Sequence, residues 1–174
     1  MILQIKVTLK GIKPPIWRRL LVDDRFTFLQ FHELLQVAFR WEDSHLHEFH
    51  TTSTPHNRKI WIGDPIMLEG VFGRRLLDEK DVQLREFLQN EKDKLVYVYD
   101  FGDDWEHDIV VENILPYDAD GRYPYCVKAT RMAPEEDSGG EWLEHEAPQK
   151  PMPPKQLTDA VNKDLEAFHA DEHK

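Results

Sequence analysis

The sequence has few of the residues that build covalent or nucleotide-binding sites. Cys126 is the single cysteine, which excludes an internal disulfide and a cysteine-based zinc knuckle. The only serines are Ser44, Ser53 and Ser138, and none lies in a Gly-x-Ser-x-Gly motif. Gly-rich phosphate-binding motifs of the Walker and dinucleotide types are missing as well. These absences argue against a serine hydrolase and a nucleotide-binding fold, and we expect Cys126 to be a buried, inert thiol.

The sequence also lacks a long hydrophobic run and an excess of basic residues. No apolar stretch approaches the ~20 residues of a membrane-spanning helix, and residues 1–11 contain no signal-peptide core. We therefore expect a cytoplasmic protein without membrane contact. The 33 acidic and 22 basic residues give a net charge of -11, which disfavours a duplex-DNA binder. At 174 residues with 40% hydrophobic content, the chain suits one domain, 1–174.

The N-terminal part of the chain has a strand–strand–helix pattern. Apolar and polar residues alternate over Leu3–Leu9, and Ile16–Val22 has strand character, which predicts two strands joined by a turn. Thr27 and Gln30 have the spacing of a capping box. Apolar residues then recur at i, i+3, i+4 and i+7, which predicts an amphipathic helix at 28–40 packed on the sheet.

The rest of the chain predicts more strands, a hairpin and a C-terminal helix. His45–Ser53 resembles a strand, and Leu84–Leu88 resembles a short helix. Two alternating runs bracket a Gly-containing acidic turn at 100–104, which is typical of a β-hairpin. Residues 116–155 are rich in proline and predict a long irregular wrap, and helical spacing returns at about 156–170. These elements predict an α+β fold: one compact domain with a largely antiparallel sheet and flanking helices.

Histidines and carboxylates suggest a metal site. His45 and His47 are two residues apart, so both rings would lie on one face of a strand. His107 with Asp103 or Asp104 could complete the ligand set, and a divalent cation held there would activate water for hydrolysis. The alternative is structural: His47 and His107 lie in or near the core, each hydrogen-bonded to a carboxylate or a carbonyl.

The acidic segments also have two interpretations. Five carboxylates fall in the nine residues 100–108, and such crowding invites a cation or an arginine partner. Aspartate and glycine are also preferred in tight turns, so Gly102 and Asp103 favour a purely structural turn. The run Glu135–Gly140 could bind a hard cation, but it lacks the ligand periodicity of an EF-hand loop and is predicted to be solvated.

A binding surface accounts for most of these residues without catalysis. We predict one shared surface formed by the strand around Trp17, the strand His45–Phe49 and the hairpin. Its residues are Trp17, Arg18, Arg19, Asp100, Trp105 and Glu106. The net charge favours a protein partner over nucleic acid. The leading hypothesis is a non-enzymatic binding module. A metal-dependent hydrolase, with nucleic acid as one candidate substrate, is the alternative, and a DNA-associated protein using Arg18 and Arg19 is the third.

Five motifs occur in an order that resembles one protein family. They are Pro14-Pro-Ile-Trp-Arg-Arg19, Phe39-Arg-Trp41, His45-Leu-His-Glu-Phe49, Tyr99-Asp-Phe-Gly-Asp-Asp-Trp-Glu-His107, and Tyr123-Pro124 with Cys126, Pro134-Glu-Glu-Asp137 and Gly139-Gly140. Together they resemble the plasmid pRiA4b ORF-3-like family, whose members also occur beside mobile elements. The resemblance covers about residues 2–140. It implies a compact α+β fold and no established activity.

The last motif departs from the family pattern. Members often have Cys-Pro-Pro-Glu-Asp-Cys-Gly-Gly, whereas this chain has Met132-Ala-Pro-Glu-Glu-Asp-Ser-Gly-Gly140. Any metal-binding role of those extra cysteines is therefore absent here. Some members carry a resolvase-like label by association with transposons. This chain has no serine-recombinase nucleophile context and no basic DNA-binding extension, so we do not extend that label to it.

Overall fold

Eight strands pair into one sheet in the computed structural model, which describes residues 1–52, 59–68, 76–138 and 151–171 (side chains to 168). The strands are β1 Ile2–Leu9, β2 Ile16–Asp23, β3 His47–Thr51, β4 Trp61–Gly63, β5 Leu76–Asp78, β6 Lys94–Tyr99, β7 Trp105–Leu115 and β8 Tyr125–Thr130. Their order in the sheet is β5-β4-β3-β6-β7-β1-β2-β8, and only β4 and β5 pair in parallel. The predicted α+β domain with a largely antiparallel sheet is confirmed.

Three helices accompany the sheet in the described residues: α1 Phe28–Phe39, the short α2 Pro65–Leu68 and α3 Pro154–Asp171. The predicted capping box starts α1, because Thr27 accepts a hydrogen bond from the amide of Gln30 (3.2 Å) while the side chain of Gln30 accepts one from the amide of Thr27 (2.9 Å). A left-handed Arg40, with φ 61, ends the helix. Among the described residues, no helix has the length and apolarity that crossing a membrane would require.

Alternation along the central strands separates a core face from a polar face. Burial alternates residue by residue in both β1 and β2. On the core face, Phe28 and Phe31 of α1 pack against Phe49 of β3, with ring centroids 5.0 and 5.8 Å apart. Leu157 of α3 is buried in the same hydrophobic cluster. The sheet therefore has one face covered by α1 and α3 and a second face lined largely by polar and half-buried side chains.

The acidic turn between β6 and β7 is explained by its backbone. Asp100 and Asp104 both have left-handed conformations, with φ 61 and 56, which aspartate tolerates better than most residues. Oδ1 of Asp100 accepts hydrogen bonds from the amides of Gly102 (3.0 Å) and Asp103 (3.3 Å). The hairpin therefore uses its aspartates as turn residues.

The C-terminal helix blocks the exposed edge of the sheet at β8. The side-chain amide of Asn162 donates to the carbonyl of Cys126 and accepts from its amide, both at 2.8 Å, and Thr158 accepts from the amide of Ala129 at 2.9 Å. These bonds occupy backbone groups that another strand would otherwise pair with. Cys126 is buried, and burial raises the pKa of its thiol to about 11, in keeping with an inert cysteine.

Two details of the structure differ from the sequence analysis. β3 begins at His47, not at His45, because Asp43 (φ 54) turns the chain before the strand starts; the predicted end at Ser53 lies outside the described residues. The wrap at 116–155 contains β8, which has no visible alternation. A bulge shifts its register against β2, so that its buried residues, Cys126 and Ala129, are three positions apart instead of two.

We expect Thr27→Ala to lower the free energy of unfolding by about 1 kcal/mol, because the amide of Gln30 loses its acceptor. Urea unfolding followed by circular dichroism measures the change. Thr27→Ser keeps the hydroxyl group and should lower the free energy of unfolding much less. Equal losses in both variants would assign the effect to the methyl group instead of the cap.

Candidate functional site

The loop at 40–46, between α1 and β3, is where polar side chains converge. It contacts two distant parts of the chain: the end of β6 and residues 131–138, which we call the 131–138 segment. The indole Nε1 of Trp41 donates to the carbonyl of Pro134 (3.1 Å), and the amide of Ser44 donates to the hydroxyl of Tyr99 (3.0 Å). The site is therefore assembled from three separate stretches of sequence.

The carboxylate of Glu136 joins these three stretches. It accepts hydrogen bonds of 2.7 Å from the amide of Glu42, the hydroxyl of Ser44 and the hydroxyl of Tyr99. Burial alone would raise the pKa of Glu136, but these hydrogen bonds hold the pKa below its ordinary value. Burial and the bond to Glu136 raise the pKa of Tyr99 to about 12. Glu136 is therefore ionised, and Tyr99 is a neutral donor.

A cavity of about 550 Å³ lies between the loop and the 131–138 segment. Its apolar lining consists of Phe39, Trp41, Met132, Ala133 and Pro134. Its exposed carboxylates, which we call the acidic rim, are Glu42, Glu135 and Asp137. A second cavity, of about 650 Å³, lies beside α3, and two of its four charged lining residues, Arg25 and Asp23, pair with each other at 2.6 Å.

Arg18 also lines the 550 Å³ cavity, which we call the Trp41 cavity. It was predicted to be a surface residue but is fully buried (0% exposed), because the alternation of β2 places it on the core face. Its Nε donates to the carbonyl of Ala38 (2.7 Å). Its Nη1 donates to three carbonyls at 3.0 Å, those of Trp17, Thr130 and Arg131. Burial lowers the pKa of Arg18 to about 10, so it stays protonated. Its Nη2 has no hydrogen-bond partner among the described residues.

His107, a predicted metal ligand, lies in the core (0% exposed). Its ring packs edge-on against Phe39 and Trp41, with centroids 4.8 and 5.2 Å away, and its Nδ1 donates to the carbonyl of Tyr97 (3.2 Å). Burial lowers the pKa of His107 to about 3, so the ring is neutral. This is the arrangement of the structural alternative, a core histidine bonded to a carbonyl.

His45 and His47 belong to different clusters. Nε2 of His45 lies 2.9 Å from Oδ1 of Asp137 and 3.6 Å from Oδ2 of Asp100. Nε2 of His47 lies 2.6 Å from Oε2 of Glu79. Because β3 starts only at His47, the two-residue spacing does not put both rings on one strand face. Each histidine therefore has its own carboxylate.

The predicted metal ligands consequently do not meet at one point. In the described part of the chain, two groups have ligand atoms within 4.8 Å of one another: His32 with Asp43 and His47, and His45 with Asp100 and Asp137. Neither group contains His107, Asp103 or Asp104. The two aspartates lie in the β6–β7 turn, where their role is in the backbone conformation.

The group around His32 is a closed hydrogen-bond network. Its ring stacks on His47 with centroids 3.4 Å apart. Gln36 donates to the hydroxyl of Tyr97 (2.9 Å), which lies 2.8 Å from Nδ1 of His32. The carboxylate of Asp43 can only accept, so the single proton of the neutral His32 ring lies on Nε2 and points to Asp43 (2.7 Å), and the hydroxyl of Tyr97 donates to Nδ1. Burial lowers the pKa of His32, and this hydrogen bond lowers the pKa of Asp43.

The six residues of the predicted binding surface are divided between two faces. Those on the polar face are Trp17, Arg19 and Glu106. Those buried, at 7% exposure or less, are Arg18, Asp100 and Trp105. Arg19 forms a two-point ion pair with Glu112 (2.7 and 3.1 Å), and Glu106 pairs with Lys10 (2.8 Å). The exposed members are therefore largely engaged with their own neighbours.

Residues 1–156 match the family described as Plasmid pRiA4b ORF-3-like protein. The chain belongs to this family. It is similar to the uncharacterized protein y4hQ of Sinorhizobium fredii, with 35% identity over 143 residues, 81% of this chain and 68% of that protein. It is also similar to the crystal structure of MM3350, a protein of unknown function from Methanosarcina mazei Go1, at 38% identity and TM-score 0.70, covering 79% of this chain and 74% of that chain. Neither name states an activity.

Each of the five motifs that carry the family resemblance contributes a residue at or beside the Trp41 cavity. Arg18 comes from the first motif, Trp41 from the second, His45 from the third, Asp100 from the fourth and Asp137 from the last. Arg18, Trp41 and Asp137 line the cavity, and His45 and Asp100 cluster with Asp137. Other parts of the last motif lie elsewhere: Tyr123 and Pro124 line the second cavity, and Gly139-Gly140 lie outside the described residues.

Three residues of the site have no place in the sequence-based predictions, His32, Asp43 and Glu79, and the contacts of a fourth, Glu136, were not predicted. His32 lies among the buried apolar residues of α1, and a polar residue in that stripe is a usable signal. Glu136 falls in a run predicted to be a solvated loop. No local pattern indicates that it contacts Tyr99, because that contact spans distant parts of the chain.

We expect His107→Gln to flatten the pH dependence of stability in acid. Burial lowers the pKa of His107 from 6.5 to about 3, so between these values the unfolded chain binds a proton that the folded chain does not. The contribution to the free energy of unfolding is complete above about pH 6.5 and is lost as pH falls, by up to ~1.4 kcal/mol per pH unit. Urea unfolding across this window measures the slope for wild type and variant.

The control is His50→Gln, which removes a half-buried histidine. It should change the slope less than His107→Gln does, because His50 is less completely desolvated. Parallel pH profiles for wild type and His107→Gln would contradict the assignment of the acid sensitivity to His107.

Proposed function

We propose that the protein is a non-enzymatic binding module that receives a short basic segment of a partner protein in the Trp41 cavity. The observation that carries the proposal is the acidic rim, three exposed carboxylates around a cavity with aromatic lining. A lysine or arginine side chain suits these surroundings, because its methylene stem packs on aromatic surface while its charged end reaches carboxylates.

The cavity lining contains four carboxylates and two cations, Arg18 and Arg40, so its charge is net negative. Arg40 also lines the cavity, but its Nε lies 3.6 Å from Asp164 of α3. Within the described residues, none of the three rim carboxylates forms an ion pair with a lysine or an arginine; Asp137 pairs only with His45. The net charge of -11 adds a longer-range attraction that accelerates association with a cationic partner.

Arg18 shapes the cavity for such a segment without contacting it. Its Nη2 is inaccessible to solvent, so a bound segment does not reach this donor. Its bonds to four backbone carbonyls hold α1, β2 and the 131–138 segment around the cavity. The basic side chain is therefore received by the aromatic lining and the acidic rim.

The other two hypotheses have less support. A hydrolase built on His45, His47 and His107 needs three converging imidazoles, whereas these rings have separate surroundings. A nucleic-acid role through Arg18 and Arg19 needs exposed cations. Arg18 is buried, and Arg19 is paired with Glu112.

NMR titration with synthetic peptides tests the proposal. A heptapeptide containing alternating lysine and arginine residues should give saturable shifts at the indole N–H of Trp41 and the amide of Ser44. The same peptide with glutamate in the basic positions should not shift these signals, because the acidic rim repels it. The indole signals of Trp17 and Trp61, outside the cavity lining, are internal references.

Charge-reversal variants supply the control. Glu42→Lys/Glu135→Lys should weaken binding of the basic peptide at least about tenfold, the effect of ~1.4 kcal/mol. Glu91→Lys/Asp120→Lys makes the same change in net charge at exposed positions outside the cavity lining and should have a much smaller effect. Equal weakening in both variants, or no saturable shift at Trp41, would overturn the proposal.

A further inference from the structure

Beside the Trp41 cavity, a histidine and two aspartates form a compact cluster. His45, Asp100 and Asp137 approach one another from the 40–46 loop, the β6–β7 turn and the 131–138 segment, with ligand atoms within 4.8 Å. Oδ1 of Asp100 is engaged by the turn amides of Gly102 and Asp103. These bonds orient the carboxylate and leave Oδ2 on the side of His45, 3.6 Å from Nε2.

The ring nitrogen of His45 has an unusual environment. Nε2 is inaccessible to solvent and makes no hydrogen bond within the described residues. Oδ1 of Asp137 lies only 2.9 Å away, so the approach is too oblique for a hydrogen bond despite the short distance. Buried polar atoms usually have a partner. A nitrogen in contact with two carboxylates but bonded to neither has the position of a ligand for a cation.

The charge of the cluster also favours a bound cation. Two carboxylates face one imidazole, and within the described chain neither Asp100 nor Asp137 forms an ion pair with a lysine or an arginine. The side chain of Asp100 is only 10% exposed, so water hydrates its charge poorly. A buried carboxylate without sufficient compensation is unfavourable, and a cation between the three groups removes this cost.

We propose that His45, Asp100 and Asp137 bind a divalent transition-metal cation such as Zn²⁺ or Mn²⁺. Imidazole nitrogen and carboxylate oxygen are ligands that these cations take, at about 2.0–2.2 Å for zinc. The imidazole disfavours Mg²⁺ and Ca²⁺, which prefer oxygen ligands. Because the side chain of Asp137 is 75% exposed, solvent or another ligand has access to the remaining coordination positions.

The neighbouring group of His32, Asp43 and His47 is a weaker candidate, because its nitrogens are already paired. Nε2 of His47 is bonded to Glu79, and both nitrogens of His32 are bonded. A metal on Nε2 of His32 would move the proton to Nδ1, where the hydroxyl of Tyr97 already donates. This group therefore serves as the structural comparison for the test.

The test is isothermal titration calorimetry of the tag-free, chelator-treated full chain with zinc chloride and with manganese chloride. No peptide is present, so the result is independent of the proposed function. We expect saturable binding with one cation per chain for at least one of the two metals. His45→Asn and Asp137→Asn should each weaken it by on the order of tenfold or more, since loss of an outer-shell partner alone has that effect. Asp137 is exposed, so its variant should fold normally, which circular dichroism checks.

Two control variants lie outside the proposed site, and a third lies in the neighbouring group of His32, Asp43 and His47. Asp104→Asn changes an exposed aspartate of the same hairpin, and His50→Asn changes a histidine on the other face of β3; both should bind the metal as wild type does. Loss of binding in His47→Asn with full binding in His45→Asn would place the metal in the other group. Unsaturable heats in wild type, or equal affinity in wild type and Asp137→Asn, would mean that the cluster is only an ion pair.

Discussion

The architecture of the site depends on one buried cation, the guanidinium of Arg18. Burying a charge is costly, and in the described residues this one is compensated by four backbone carbonyls instead of a carboxylate. One of them, the carbonyl of Ala38, lies in the last turn of α1, where the helix dipole favours positive charge. Two others, of Thr130 and Arg131, lie where β8 passes into the 131–138 segment. Arg18 therefore fixes the helix, the sheet and this segment relative to one another, and the cavity is the space that remains above it.

Elements that depend on residues close in sequence are predictable, whereas contacts between residues far apart in sequence are not. β1, β2 and α1 are predictable because their signals lie between residues close in sequence. These signals are the apolar–polar alternation, the helical spacing and the capping box of Thr27 and Gln30. β8 is not predicted from the sequence, because a bulge replaces the period of two by a spacing of three between Cys126 and Ala129. The contacts of the site are less predictable still. Glu136 meets Tyr99 only because Arg18 and Trp41 hold the 131–138 segment against the loop.

In the acidic hairpin, a residue can form part of the turn and also face the candidate site. Asp103 and Asp104 are turn residues, and their positions need no further explanation. Asp100 has both roles, since Oδ1 receives the turn amides while Oδ2 lies toward His45. The turn thereby orients a carboxylate more firmly than a surface side chain would be oriented. A sequence analysis that assigns each aspartate to one role cannot separate Asp100 from its neighbours, because the distinction arises from the chain that packs against it.

The two proposals share Asp137, so they are thermodynamically linked. A cation that neutralises Asp137 weakens the attraction of the acidic rim for a basic segment, and the segment must weaken cation binding by the same factor. The strength of this coupling follows from exposure. Asp137 is largely exposed, so its part of the interaction is screened by salt, whereas Asp100 is buried and contributes to cation affinity with little screening. Glu42 and Glu135 do not belong to the cluster and continue to attract the segment when the cation is bound. In the proposed site both aspartates contribute to cation affinity, but only Asp137 also belongs to the acidic rim. Binding of the cation would therefore weaken binding of the segment only in part, because two of the three rim carboxylates keep their charge.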